Sequence, residues 1–576
     1  MKSLIGLTLF QLALLSQGTM NASAEEAFEN RALPPVRVFA EALAARQRGG
    51  TEELKISAEY WISQSLLQSG LNHIAYAGFS KMAANSSSGD ESATIQGAAI
   101  AAINQIHSHY PSFLLPAGVF AQIPHLMKSQ ADTKKALREF VFTYLIENPS
   151  KKIQQESLEL LQGSGAYEHL ARGIIDSQNG EHPAAIMEFN TFLRFPSIPA
   201  FLEPYVDHAI LLLSRSYFST GAYTEAAAEL GKIKKSSNDL AELLAETAWA
   251  HLMNEKYGEA IGTAMSLRAG GLRHTFSPEA PMVMAMALNE LCQFPESITT
   301  IQQFKRDYEK SYLWLSSHQD VSKLYPSAIS FLKRQGDVPD RIGTEWVRSP
   351  LFISSQEEIN LLFQENQANL KLGKTGAVEL KKLGLNVHDL VVAIKPAIKK
   401  ERAHLKPGEH LSSGLVEKIH ILKEEINHYK RLRNAATTWH RILKNHDERV
   451  PILKNSLVQR INQDLKTRTE RMFAKLEDIA ENNQLIEVEI YNGASQDIIW
   501  QNAHPEYKEI AQKMNREQKA ERSEKVWDWG HSLTSGNSGE SEEIWEDELG
   551  SFQASLFNNC SSKQRFLALH NGRRRS

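Results

Sequence analysis

The chain of 576 residues is expected to be all-α: a solenoid of paired helices, then a long antiparallel coiled-coil hairpin and a partly flexible tail. Three observations carry this expectation. Small residues and aromatics recur at a near-constant offset between Tyr167 and Lys310; apolar residues recur at alternating intervals of four and three beyond residue 411; and Gly and Ser crowd the stretch 530–541.

The amino terminus reads as an export signal. Lys2 supplies a positive start, Leu4 to Leu15 is mostly apolar, and Ala22-Ser23-Ala24 is an A-x-A cleavage signal. Removal of residues 1–24 and a periplasmic or secreted product are expected. The apolar run is shorter than the ~20 residues a membrane span needs, and no later segment reaches that length, so no transmembrane segment is expected in the mature chain.

Residues 25–165 are expected to be helical. Ser63, Leu66, Gly70, Ala75 and Phe79 repeat the offsets of the units that follow, while Ala98 to Ile106 and Lys135 to Ile146 fit them poorly. They read as degenerate repeats of the same superhelix, with an unrelated helical bundle as the alternative.

From 166 to 310 four units pair a small residue of one helix with another twelve positions on: Gly173/Ala185, Ser214/Ala226, Ala248/Ala260 and Ala285/Ser297. Small side chains suit a close crossing of two helices. His182, Tyr223, Tyr257 and Phe294 precede the second small residue by three, and Gly180, Gly221, Glu255 and Cys292 hold the turns. Between successive units the intervals are 41, 34 and 37 residues, and a period near 34 is that of a two-helix repeat that must stack on neighbours.

This pattern resembles the tetratricopeptide repeat (TPR) family between Tyr167 and Lys310. The first helices depart from it: three residues after the small position the family keeps an aromatic, which Tyr217 matches but Asp176, His251 and Leu288 do not. The resemblance implies a groove that binds proteins or peptides, with Arg172, Asp176, Tyr217 and His251 as its candidate residues. Exported TPR proteins serve bacterial cell-envelope assemblies, which makes a periplasmic scaffold the expected role.

Residues 311–410 form a connector broken by Pro326, Pro339 and Pro350, whose later helical part, from Gln356 to Lys400, is expected to be interrupted at Gly373, Gly376, Gly384 and Pro396. From 411 to 528, Leu415, Ile419, Leu422, Ile426 and Tyr429 open an apolar seam that restarts at Leu453. The polar Asn445-His446-Asp447 and the helix breaker Pro451 are expected to make the turn of an antiparallel hairpin. Lys430, Arg431, Arg433, Lys466, Arg468 and Arg471 on its flanks read as a solvated face or as an anionic docking surface, and homodimerisation through the coiled coil is compatible with the seam. Leu485 to Tyr491 reads equally as helix or strand, Gly493 as a break, and Ser495 to Trp527 as charged helix.

A flexible linker, 529–543, and a short element, 544–576, end the chain. Trp527, Trp529 and Trp545 are candidate anchors by which the tail docks on its own chain or on a partner, against the alternative of a loosely ordered tail. Cys292 and Cys560, the two cysteines of the sequence, fall in a repeat turn and in the tail and are expected to stay unbridged, with stability coming from stacked apolar faces.

The net charge of −4 is too small to imply nucleic acid or an acidic membrane as a general partner. No HExxH, G-x-S-x-G or phosphate-loop motif occurs, and His107-Ser108-His109 reads as a helix end before Pro111. No enzyme activity, cofactor or metal is expected. The alternative is a peptidoglycan-active enzyme similar to lytic transglycosylases, for which Glu156-Ser157 supplies one motif pair, but the G-L-M-Q segment of that family is missing.

Overall fold

The computed structural model describes residues 35–48, 51–85, 90–128, 133–233, 240–268, 270–318, 324–404, 410–507, 556 and 558–573. Among them the regular elements are all helical, with no strand. The chain forms two compact units, one from Met1–Tyr144 with Ser354–Leu457, the other from Leu145–Ile353 with Val458–Ser576. Each is built from distant stretches of sequence, an arrangement that periodicity along the chain does not reveal.

In the first unit α1 (Pro35–Arg48), α2 (Glu52–Gln68), α3 (Asn72–Ala83) and α4 (Asp90–His109) pack in sequence order, followed by the single turns α5 (Ala117–Phe120) and α6 (Ile123–Leu126) and by α7 (Lys134–Glu147), which runs on past the unit's edge. Thr51 caps α2 through the Leu54 amide, the N-cap role its hydroxyl suits. His109 ends α4, as expected. The unit is completed by parts of two long helices, α19 (Pro350–Arg402) and α20 (Ser413–Ala503). These run antiparallel: Asn369 Nδ2 donates to Asp447 Oδ1 at 2.8 Å, and Ser412 Oγ donates to Glu401 Oε2 at 3.1 Å.

That pairing corrects the expected hairpin. Residues 445–447 and Pro451 are helical inside α20, and the reversal lies between α19 and α20 instead. The physical reason is register. Leu443, His446, Val450, Leu453 and Leu457 continue the three–four spacing across the polar stretch, with Leu443, His446 and Leu457 buried and Val450 and Leu453 half-buried. His446 fills an apolar-type position because it finds a carboxylate there. Gly373, Gly376, Gly384 and Pro396 likewise fail to interrupt α19. Leu485–Tyr491 and Gly493 are also helical, within α20, which ends at Ala503; of the charged helix expected from Ser495, residues 508–527 lie outside the described residues.

The second unit holds α8 (Lys151–Leu161) and then the paired helices α9 (Ala166–Gln178) and α10 (His182–Leu193), α11 (Val206–Ser219) and α12 (Tyr223–Leu230), α13 (Leu240–Met253) and α14 (Tyr257–Ser266), and α15 (Glu279–Glu290) and α16 (Phe294–Ser317). All eight small residues of the expected crossings are buried. At two crossings a hydroxyl also bonds the opposing backbone: Ser214 Oγ donates to the Ala226 carbonyl at 2.8 Å, and Ser297 Oγ to the Ala285 carbonyl at 2.7 Å. At Gly173 a side chain would collide with the Phe189 ring.

Each pair turns in the same way. Gly180, Gly221, Glu255 and Cys292 all have positive φ, and the amide of the following residue reaches back five positions, as Lys256 does to the His251 carbonyl at 2.9 Å. This is the Schellman C-cap, which satisfies carbonyls at a helix end. The same cap recurs at Gly70 in the first unit and at Arg334 in the second. The latter joins α17 (Leu324–Leu332) to α18 (Asp340–Val347), so the expected connector is itself a helical pair.

The remainder of α20 belongs to the second unit and is held there by specific bonds. The buried Trp346 indole donates to Thr469 Oγ1 at 3.1 Å, Ser349 Oγ donates to Asp464 Oδ2 at 2.6 Å, and the Tyr325 amide donates to Asn462 Oδ1 at 2.9 Å. Finally α21 (Asn559–Arg573) docks on the same unit. Contrary to expectation, Cys560 is disulfide-bonded to Cys292. Cys292 sits at an exposed-type turn position, which leaves its side chain within reach of a helix lying across the turn.

Candidate functional site

The candidate site is a cavity of about 1130 Å³ in the second unit. One wall comes from the first helices of successive pairs: Arg215 and Phe218 of α11, and Glu242, Glu246 and Trp249 of α13, with Glu279 at the start of α15. Arg468, Arg471, Met472 and Lys475 of α20 form the other, with Glu345 and Arg348 beside them.

Acid and base alternate around this lining. Arg215 bridges Glu242 at 2.5 Å and Glu246 at 2.6 Å. Lys475 pairs with Glu279 at 2.7 Å, and Arg468 with Glu345 at 3.2 Å. The Trp249 indole donates to the second oxygen of Glu279 at 3.3 Å, which fixes its ring at the cavity wall. Burial, helped by the neighbouring charges of Glu242 and Glu279, pushes the Glu246 carboxyl above its ordinary range against the pull of Arg215. The Arg215 guanidinium, which burial alone would lower, is held up by Glu246 and Glu242. Apolar surface between charges of both signs suits recognition of a peptide segment, whose backbone and mixed side chains find partners of each kind.

The four groove residues expected from the sequence do not line this cavity. Arg172 pairs with Glu168 on its own helix at 2.9 Å. Asp176 is half-buried, and burial, then Glu181 and Glu188, push its carboxyl up. The Tyr217 hydroxyl accepts from Asn190 of the preceding pair at 3.1 Å. His251 is half-buried, with burial pulling its imidazole down. Asp176, Tyr217 and His251 all stand in the last turn, where their carbonyls accept the capping bond. The lining positions lie elsewhere on the same helices: Arg215 and Trp249 each follow the small crossing residue by one, not three. A sequence signal for them exists in acid–base and Trp–acid spacing near the repeat length, since Arg215 and Glu246 are 31 residues apart and Trp249 and Glu279 are 30 apart.

Arg468 and Arg471, expected on a basic flank, do line the cavity, whereas Lys466 pairs along the helix with Glu470 at 3.8 Å. Trp527, Trp529 and Trp545 lie outside the described residues. The described tail is anchored by other groups. Phe566 packs edge-on against Trp500, His504 and Tyr507, Lys563 pairs with Asp497, and the Asn559 amide donates to the Leu291 carbonyl at 3.0 Å.

No family model and no curated protein matches the chain. Glu156, the carboxylate that the enzyme reading would use, lies on α8 beside Lys152 at 3.8 Å, and Ser157 next to it is fully buried; neither lines the cavity.

The first unit holds a second concentration of charge, away from solvent. His73 Nε2 lies 3.0 Å from Glu358 Oε1, and its Nδ1 lies 3.0 Å from Glu365 Oε2. The His73 amide also donates to Glu365 Oε1 at 2.9 Å, and His446 Nε2 lies 3.0 Å from Glu365 Oε2. Burial alone would lower the His73 imidazole, but its hydrogen bonds to Glu358 and Glu365 and their charges raise it to about 9. Burial would raise Glu365, yet His446 and His73 bring it down to about 2. The cluster of His73, Glu358, Glu365 and His446 joins three helices, α3, α19 and α20.

Proposed function

We propose that this protein is a non-enzymatic, exported scaffold of the TPR type, acting in a bacterial cell-envelope assembly and binding partner proteins through the inner wall of its paired helices. The observation that carries this reading is the cavity lined by Arg215, Phe218, Glu246 and Trp249 from successive first helices. Stacked two-helix units create such concave binding surfaces as a consequence of their geometry. Four crossings built on small residues, and turns closed by one repeated cap, support the solenoid reading of these pairs. The antiparallel α19–α20 pair supplies the coiled-coil hairpin of the scaffold, a second docking element that is also compatible with homodimerisation. The disulfide agrees with the export signal, since such bonds persist in oxidising compartments.

Affinity capture from bacterial envelope extracts tests the reading. Trp249→Ala and Arg471→Glu are expected to lose partners that the wild type retains, while changing Arg172 leaves the catch intact. Identical catches for all variants, at unchanged helix content, would remove the cavity from the function. Amino-terminal sequencing of the mature protein tests export, with Glu25 as the expected first residue.

A further inference from the structure

We infer that the hairpin arm of the first unit, residues 370–404 and 410–447, is a peripheral docking surface for anionic phospholipid bilayers. Its charge separates it from the rest of the chain. Fifteen Lys and Arg stand there against seven Asp and Glu, although the whole chain carries a net charge of −4. The excess follows both helices of the arm, from Lys371, Lys374, Lys381 and Lys382 on α19 to Lys430 and Arg433 on α20, whereas Arg431 is paired with Glu41 of α1 at 3.2 Å.

Large apolar side chains stand exposed among these cations. Leu370 is 66% exposed, Val378 52%, Leu385 54% and Val392 57%. At 3.6 residues per turn these four fall within an arc of about 80° on one face of α19, over a length of about 33 Å. Lys374, Lys381 and Lys395, all exposed, project from the same side of the helix. The roughly opposite side of α19 faces α20, where Asn369 donates to Asp447 and Ile394 is buried.

The spacing decides which anionic partner fits. A partner helix requires a continuous apolar seam with two positions in every seven residues. The exposed face of α19 offers one, with lysines between. Single apolar side chains separated by long cationic ones match an interface between headgroups and acyl chains, where the aliphatic carbons enter and the charged end reaches phosphate. No helix among the described residues is long and apolar enough to cross a membrane, so the contact is interfacial. This inference goes beyond the scaffold reading and stands without it.

Co-sedimentation of the full chain with phosphatidylcholine vesicles, with and without phosphatidylglycerol, is the test. Binding is expected only where phosphatidylglycerol is present, and it is expected to fade as salt is raised, because exposed charges are screened. The triple variant K374E/K381E/K395E is expected to bind roughly a hundredfold more weakly, at about tenfold or less per lysine near an anionic surface. Leu385→Ser with Val392→Ser is expected to weaken binding while keeping its salt dependence. All of these positions are exposed, so circular dichroism should report unchanged helix content. Equal sedimentation with both vesicle types would overturn the inference, as would a triple variant that binds like the wild type. A homodimer in light scattering that Leu385→Ser with Val392→Ser dissociates, without any vesicle binding by the wild type, would overturn it in favour of self-association.

Discussion

Cys560 in the C-terminal helix is joined to Cys292, which lies 268 residues earlier in the turn between α15 and α16, with their Cα atoms 5.4 Å apart. The bond closes a very long loop, the kind for which chain entropy favours a crosslink most, and removal of a native disulfide typically costs about 2–5 kcal/mol. It does not act alone, since Asn559 and Phe566 hold the same helix. Cys560→Ser is therefore expected to lower the thermal midpoint of the second unit while the tail still docks. Adding Phe566→Ala should release it, which limited proteolysis would detect as early cleavage near residue 556. Thiol titration of the unreduced, denatured protein should find no free thiol.

The His73–Glu365 pair predicts the pH dependence of the first unit. His73 is raised from 6.5 to about 9, so its contribution is complete below pH 6.5 and lost as pH rises through about 9. Glu365 is depressed from 4.5 to about 2, so its contribution is complete above pH 4.5 and lost as pH falls through about 2. Both act in full between pH 4.5 and 6.5. Denaturant midpoints for this unit are expected to fall from pH 6.5 towards 9, and His73→Gln should flatten that limb. Glu365→Ala, which leaves a buried cation without one of its two carboxylate partners, should cost about 3–5 kcal/mol.

Local features of the fold were legible in the sequence because local physics fixes them. Gly173, Ser214 and Ala248 were readable as crossing positions since a close helix contact admits only small side chains, and the turn at Glu255 followed from the same offset without a glycine to mark it. Non-local features were not. The carboxylate partner of His446 is Glu365, on a different helix, so a buried polar residue looked like a turn. The cavity wall at Trp249 depends on which face of α13 meets the rest of the unit, and one helix at a time does not encode that. The disulfide was hidden for the same reason, because nothing near Cys560 indicates that α21 lies across the Cys292 turn.

Continuity of α20 through Pro451 has a direct distance test. His440 and Ser456 are both exposed and belong to the same unit. In an unbroken helix their separation of 16 positions spans about 24 Å. A turn at 445–447 would instead bring them side by side at about 10 Å, the spacing of packed helices. Spin labels at the two positions, measured by pulsed electron resonance, are expected to give the longer distance after allowance for label length. Pro451→Ala should leave that distance unchanged and stabilise the helix, by at most the ~3 kcal/mol that an interior proline costs.

The repeated turn supplies a prediction in which removing a glycine at one site and introducing one at an equivalent site have opposite signs. Gly221 has φ +80°, and a Cβ added there meets nothing within 4 Å, so Gly221→Ala is penalised by backbone conformation alone. The left-handed region costs a non-glycine residue about 1 kcal/mol. Glu255 occupies the equivalent turn at φ 59° with that cost already present. Glu255→Gly is expected to stabilise the α13–α14 pair by about 0.5–1 kcal/mol, because relief of the strained conformation outweighs the added freedom of glycine in the unfolded chain. Thermal melts of the two variants should move in opposite directions from the wild type. A fall for both would mean that the Glu255 side chain contributes more to the turn than its backbone conformation costs.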